Sequence, residues 1–186
     1  MLGSHHTVSP GRFIAAGGAG LLLGLLANPL RKLAVQAPTM LKGKWDEALA
    51  AEHKATLALI DTMEATDEKD TARRAMHLSQ LKHSLSKHAF QEENTVYPMM
   101  REHGLLEPAR KLNEEHGEVK RLLFDLTEMP KSDPQWIERL RELRGALETH
   151  MAEEENELFP QLRAKLSEEG NEHLSVAMNK EGLKLA

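Results

Sequence analysis

Apolar residues recur at spacings of three and four along most of the chain after residue 43, which is the period of an amphipathic helix. This spacing predicts four helical segments, at about 44–66, 71–102, 106–128 and 135–167. No stretch of useful length alternates apolar and polar residues, so we expect no β-sheet. Because the connections are short, neighbouring helices should run antiparallel. The simplest fold is therefore all-α, an up-down-up-down four-helix bundle over residues 44–167.

Proline and glycine mark the limits of these segments. Gly104 indicates a turn between the second and third segments, and Pro134 suits the first turn of the fourth. Pro98 and Pro160 fall within or near the ends of the second and fourth segments, where we expect a kink or an end. Residues 168–186 are predicted to be a tail or one short helix.

The first 43 residues have a different composition. Residues 13–30 carry no charge and are rich in Gly, Ala and Leu, over a length at the lower edge of a membrane span. Three interpretations stay open for the leader 1–43: a flexible or surface-lying segment, a membrane-associated segment, and a signal peptide. Pro38, directly after a suitable cleavage site, argues against the signal peptide.

Six polar residues interrupt the apolar stripes of the four segments. They are His53, His88, Glu92, His116, His150 and Glu154. A buried carboxylate costs several kcal/mol unless it is paired or bound to a metal, and the Lys and Arg residues lie mostly on other faces. Two bridging carboxylates and four imidazoles would satisfy each other around two metal ions. The pattern therefore predicts a two-metal site inside the bundle.

The chain also repeats itself. The motifs 88–98 and 150–160 both have Glu four and five residues after His, an aromatic residue after nine and Pro after ten. His53 precedes the first motif by 35 residues, and His116 precedes the second by 34. Two copies of one helical hairpin explain these intervals. The regularity favours metal ligands over ordinary core histidines.

Composition narrows the chemistry. The chain contains no cysteine, which excludes disulfides, thiolate zinc sites and iron–sulfur clusters. Four imidazoles and two carboxylates suit iron or manganese better than calcium, and the ligand mix favours iron over zinc, although zinc stays open. The formal net charge is -5 without any basic block, so we expect no nucleic-acid partner.

Other polar residues near the motifs are weaker candidates for metal ligands. Glu93, Glu153 and Glu155 are predicted to be solvated or to lie just outside the ligands. His83 and His103 lie off the apolar stripes and are only minor candidates for extra ligands.

The two aromatic residues of the motifs, Tyr97 and Phe159, are predicted to pack in the core beside the site. The alternative for Tyr97 is a hydrogen bond to a bound ligand or a part in redox chemistry.

These motifs, over about residues 45–165, resemble the hemerythrin-like HHE cation-binding domain family. The resemblance implies a non-haem centre of two iron ions with an oxo or hydroxo bridge, held by the six residues named above. One position departs from the pattern of oxygen-carrying hemerythrins, which place a second histidine four residues after the first on the third helix. Here that position is Lys120, four residues after His116. This argues against simple reversible oxygen carriage and leaves coordination positions open.

We therefore expect a di-iron protein that binds or senses O2, NO or peroxide, in an oxidative or iron stress response. The alternatives are a peroxide-consuming or iron-handling enzyme on the same scaffold, and a non-catalytic helical interaction module. The expected location is the cytoplasm, with association to a membrane through residues 13–30 as an alternative.

Overall fold

The computed structural model describes residues 43–185, and all regular elements within this range are helical. The α-helices are α1 (Trp45–Glu64), α2 (Thr71–Gln91), α3 (Tyr97–Glu102), α4 (Leu106–Glu128), α5 (Trp136–Glu153), α6 (Phe159–Lys165) and α7 (Glu168–Leu185). The predicted all-α class is confirmed for this part of the chain. The up-down-up-down order stays a prediction, and the predicted leader lies outside the described residues apart from Gly43.

None of the helices between residues 43 and 185 is both long and apolar enough to cross a membrane.

A turn of π-helix precedes each of the two motif prolines. π1 (Glu92–Val96) joins α2 to α3, and π2 (Glu154–Leu158) joins α5 to α6. Pro98 and Pro160 have no N–H to continue the α-helical ladder, and their rings would crowd the carbonyl four residues earlier. Widening the preceding turn relieves that crowding. The helical path therefore continues past each proline, so neither proline ends it. The predicted kink stays a prediction.

Gly104 closes the second segment in the way that its position suggested. Its φ is 81°, a left-handed conformation that glycine adopts without steric cost. The N–H of Leu105 donates to the carbonyl of Met100, and the N–H of Gly104 donates to that of Arg101. This pair of bonds satisfies the last carbonyls of α3 and turns the chain into α4.

Helix α7 adds a fifth long helix to the four that the sequence predicted. It contacts α1, α2 and π1, and buries Leu174 and Met178. The backbone N–H of Trp45 donates to Ser175 Oγ at 3.0 Å, and its indole N–H donates to Asn171 Oδ1 at 3.0 Å. The two ends of the described chain are thus joined by packing and by hydrogen bonds.

The apolar core is divided into two clusters. The first includes Trp45, Leu49, Tyr97, Met100, Leu112, Phe159, Leu162, Leu174 and Met178. The second includes Ile60, Leu81, Leu85, Val119, Leu123, Leu126, Trp136, Leu140, Leu147 and Met151. A fully buried side chain of this kind contributes roughly 1.5–3 kcal/mol. On α1 the buried His53 falls between Leu49 of the first cluster and Ile60 of the second, so a polar layer separates the two clusters.

Buried Arg74 fixes the connections at the far end of the second cluster. Its guanidinium donates to Thr66 Oγ1 at 2.9 Å, to the Thr66 carbonyl at 3.1 Å and to the Lys131 carbonyl at 2.7 Å. The same group lies 5.0 Å from the centroid of the Trp136 ring. One side chain therefore ties the α1–α2 loop to the α4–α5 loop.

Replacing Arg74 by methionine should lower the free energy of unfolding by about 2–4 kcal/mol, because buried carbonyls lose their donors. Urea unfolding followed by circular dichroism measures the change. Arg73→Met is the matched control, since Arg73 is exposed on the same turn, and it should change stability by no more than about 0.5 kcal/mol. Equal losses in both variants would contradict the assigned role of Arg74.

Candidate metal centre

The six residues that interrupt the apolar stripes meet in the polar layer. His53 lies on α1, His88 on α2, His116 on α4 and His150 on α5. Glu92 and Glu154 are the first residues of π1 and π2, one turn after a histidine in each case. All six residues are buried, with at most 5% of the residue surface exposed. The structure thus brings together every residue that the sequence singled out for the centre.

The inward nitrogen and oxygen atoms form two groups. His53, His88, Glu92 and Glu154 make one group, and Glu92, His116 and His150 make the other, with the ligand-type atoms of each within 4.8 Å of one another. Each of these residue sets could hold a metal ion, and Glu92 belongs to both.

Contacts of Glu92 and Glu154 cross between the two hairpins. Glu92 Oε1 lies 3.1 Å from His88 Nε2, and its Oε2 lies 3.3 Å from His116 Nε2. Glu154 Oε2 lies 3.4 Å from the Nε2 atoms of both His53 and His150. Each carboxylate therefore contacts histidines of both hairpins.

A second set of carboxylates holds the outer nitrogens of the four histidines. His88 Nδ1 lies 3.1 Å from Glu52 Oε2, and His150 Nδ1 lies 2.8 Å from Glu115 Oε2. These two contacts are equivalent in the repeat, since both join the residue before the lone histidine to the histidine of the following motif.

The other two outer contacts run between the hairpins. His116 Nδ1 lies 2.9 Å from Glu93 Oε1, and His53 Nδ1 lies 2.7 Å from Glu155 Oε1. An ionised carboxylate at Nδ1 places the imidazole proton there and turns the lone pair of Nε2 inward. The four contacts together follow the approximate twofold repeat of the sequence.

Electrostatics keep two of the outer carboxylates, Glu52 and Glu93, ionised. Although burial would raise the pKa of Glu52, His88 and Lys87 lower it to about 2. The hydrogen bond from His116, together with Lys120, lowers the pKa of Glu93 to about 2.

The pKa values of the histidines at the centre are shifted in different directions. Burial lowers the pKa of His53 and His150. Burial would also lower that of His88, but Glu92 and Glu52 outweigh it and raise the pKa well above its usual value. A metal ion must displace protons held in this way, so binding releases them to solvent.

The pKa values of the two buried glutamates are shifted in opposite directions. Burial would raise the pKa of Glu92, but His88 and His116 lower it well below its usual value. Burial raises the pKa of Glu154, and the charge of Glu92 raises it further. Two carboxylates at this depth do not both ionise without a cation beside them.

Hydrogen bonds among the described residues satisfy the inward-facing atoms of the centre only in part. Glu92 Oε1 and Glu154 Oε2 are buried and have no hydrogen-bond partner. His53 Nε2 faces His88 Nε2 at 3.0 Å, and His116 Nε2 faces His150 Nε2 at 3.2 Å. When both histidines of a facing pair are neutral and protonated at Nδ1, the pair offers two Nε2 lone pairs to a metal ion. This donor set fits borderline divalent metals with nitrogen and oxygen ligands.

Tyr97 reaches the centre as well as the core. Its hydroxyl donates to Glu154 Oε1 at 2.8 Å and lies 3.1 Å from His116 Nε2. The repeat places Phe159 at the equivalent position, where its ring stacks on His53 at 6.4 Å between centroids. The aromatic residue of the first motif, Tyr97, therefore makes a polar contact with the centre, and that of the second motif, Phe159, makes an apolar contact.

The weaker candidates for metal ligands lie away from the centre. His83 is exposed, and His103 Nδ1 lies 3.0 Å from the Met99 carbonyl at the end of α3. Glu153 pairs with Lys111 at the surface. Lys120 points outward to Glu93 at 2.8 Å, with 61% of its side chain exposed. Sequence reasoning missed Glu52 and Glu115 as partners of the ligand histidines, although both belong to the repeat.

Comparison with known proteins decides the family. The sequence model described as the hemerythrin HHE cation binding domain matches residues 46–162. The chain belongs to the hemerythrin HHE cation-binding family. The predicted resemblance is confirmed, and the His/Glu cluster lies within the matched range.

Two curated relatives are similar to this hemerythrin-like chain. An uncharacterized hemerythrin-like protein of Schizosaccharomyces pombe is 30% identical over 138 residues, covering 72% of this chain and 66% of the relative. A DNA nickase of Nostoc sp. is 32% identical over 96 residues, covering 52% of this chain and 27% of the nickase. The chain thus spans about a quarter of the nickase and just under two thirds of the other relative. No solved structure matches significantly.

Replacing both His88 and Glu92 by leucine should abolish stabilisation by metal. A metal present at 100 times its dissociation constant stabilises a folded protein by about 2.7 kcal/mol, or roughly 5–10 °C in Tm for a chain of this size. We expect that shift in the unaltered hemerythrin-like protein and none in the double variant. Calorimetry with and without ferrous iron, under argon, measures it.

The exposed His83 on the same helix provides the control, because His83→Leu removes an imidazole without touching the centre. It should keep the full metal-induced shift. Equal shifts in the double variant and the unaltered protein would show that metal binds elsewhere.

Proposed function

We propose that this hemerythrin-like chain holds two non-haem iron ions and binds or senses O2, NO or peroxide, in an oxidative or iron stress response. The proposed ligands are His53, His88, Glu92, His116, His150 and Glu154. The observation that carries the proposal is the sharing of Glu92 between two groups of ligand-type atoms, each of which contains two imidazoles. Two histidines and a carboxylate are typical of iron centres with open coordination positions.

The number of protein ligands supports a role in binding small molecules. One group of ligand-type atoms comes from four residues and the other from three, and an octahedral iron ion in either group would have more positions than these residues fill. A reduced iron pair supplies electrons and open coordination positions to O2, NO or peroxide. The ligand mix favours iron, and manganese and zinc are the alternatives to be distinguished by analysis.

The residues around the centre have separable tasks in this proposal. The outer carboxylates orient the imidazoles, and the two apolar clusters limit the access of water to the ligands. Burial raises the pKa of Tyr97 well above its usual value, so its phenol stays protonated as a hydrogen-bond donor. Tyr97 is thereby placed to donate to an anionic or partly negative ligand beside Glu154.

Nucleic-acid chemistry is not part of the proposal. The matched segment is 27% of the DNA nickase, and this chain has a formal net charge of -5. A protein that binds duplex DNA depends on Lys and Arg contacts to phosphates.

Metal analysis combined with optical spectroscopy tests the proposal. Loading with ferrous iron under argon should give two iron ions per chain. Exposure to air should then produce the near-ultraviolet absorption of a bridged ferric pair, and NO should change the spectrum of the reduced form. His116→Leu should reduce the iron content, whereas His83→Leu should not. A colourless protein, or one with no more than one iron per chain, would overturn the proposal.

Peroxide turnover distinguishes the enzymatic alternative. If the loaded protein consumes hydrogen peroxide no faster than free iron does, binding or sensing is supported. Rapid turnover that His116→Leu removes would favour a peroxide-consuming enzyme.

A further inference from the structure

A pocket of about 300 Å³ opens on one side of the polar layer, between α2, α4, α5 and the end of α7. Three histidines of the centre line it: His88, His116 and His150. They are at most 5% exposed, whereas Ser86 and Lys120, which also line the pocket, are exposed. The histidines therefore form its floor and the other two residues belong to its rim.

The size of the pocket exceeds what a diatomic ligand or peroxide requires. An apolar protein cavity of about 150 Å³ accommodates benzene. A pocket of twice that volume has room for roughly ten non-hydrogen atoms, by the same comparison. Ligand sites for small organic molecules begin at about this volume.

Apolar side chains make up most of the wall. They include Leu85, Ala89, Val119, Leu123, Leu147 and Met151. Such a wall favours the apolar body of a ligand by roughly 25 cal/mol for each Å² removed from water.

The charged groups of the rim are already paired with each other. Lys120 Nζ donates to Glu93 Oε1 at 2.8 Å, and the same oxygen lies 2.9 Å from His116 Nδ1. A charged ligand would have to break or compete with this arrangement, whereas an alcohol can join it through a hydrogen bond. The rim therefore suits an uncharged polar group.

One difference between the two halves of the repeat lies at the rim of this pocket. Residues 63 positions apart on α1 and α4 are equivalent, which pairs Leu57 with Lys120. Where the first hairpin has the partly buried Leu57, the second has the outward-pointing Lys120, which lines the pocket.

We propose that this pocket binds a small organic molecule of about ten non-hydrogen atoms, with an apolar body and one uncharged polar group, directly beside the metal centre. The proposal goes beyond the binding of O2, NO or peroxide and requires no iron to be present. Its ligand would reach His88, His116 and His150 from the α2–α4 side.

The test uses 1-octanol as the probe and the full chain as purified, with its metal content measured. Titration calorimetry should show saturable binding of one molecule per chain. The Leu and Val methyl signals in ¹H–¹³C spectra should shift at Leu85, Val119 and Leu123. Octanoate, with the same apolar body and a charged end, should bind at least tenfold more weakly.

Two variants fill the pocket. Ala89→Trp and Leu123→Trp should each weaken octanol binding at least tenfold while helical content by circular dichroism is retained. Ala72→Trp, at an exposed position of the same helix α2, should bind as the unaltered protein does. Because Ala89 adjoins His88, Leu123→Trp decides the test if Ala89→Trp loses helical content.

Three results would overturn the proposal. They are the absence of saturable octanol binding, octanol binding that neither filling variant weakens, and octanoate binding that is tighter than octanol binding and is lost in Lys120→Met. The last would show that the pocket takes an organic anion through Lys120. Octanol binding by a protein that takes up no iron would support the pocket and reject the di-iron proposal, so the two failures are distinguishable.

Discussion

The structure depends on one constraint, which is that imidazole and carboxylate groups with unshared electron pairs are buried in the middle of the helical bundle. Four imidazole nitrogens and two carboxylates face one another in a layer that is at most 5% exposed, and two of the carboxylate oxygens have no hydrogen-bond partner. Such groups are costly to remove from water unless cations satisfy them. Bound metal would satisfy these groups, and two iron ions are the arrangement that we propose.

The surrounding elements serve that layer. Carboxylates on the outer side of each histidine fix the direction of the lone pairs, and one apolar cluster on each side closes the layer. The π-helical turns begin at Glu92 and Glu154, so the widened backbone lies directly at the candidate centre. Helix α7 completes the first cluster from outside the range that the family model matches. The repeat gives the centre its approximate symmetry, while Tyr97 and Lys120 make its two sides chemically different.

The sequence predicted the all-α class and the six residues that meet in the polar layer, because helical periodicity and burial cost are both local properties that a repeat makes conspicuous. It did not predict which carboxylate contacts which histidine. The contact of His53 with Glu155 joins residues 102 positions apart, and only the packing of the helices brings them together.

Pro98 and Pro160 predicted a kink or an end and not a π-helical turn, since a proline indicates a disturbed ladder without showing how the backbone adjusts. Helix α7 was expected to be a tail or short helix because its apolar positions are few, with Leu174 and Met178 carrying most of the burial. The pocket depends on the spacing between α2 and α4, which no residue pattern expresses.

The most direct test of the central claim is anomalous diffraction from crystals of the iron-loaded protein, recorded on both sides of the iron absorption edge. Two iron peaks are expected inside the bundle, one contacting His53 and His88 and the other contacting His116 and His150, with Glu92 reaching both. A single peak, or peaks only at surface histidines such as His83, would contradict the assignment of a two-metal centre to these residues.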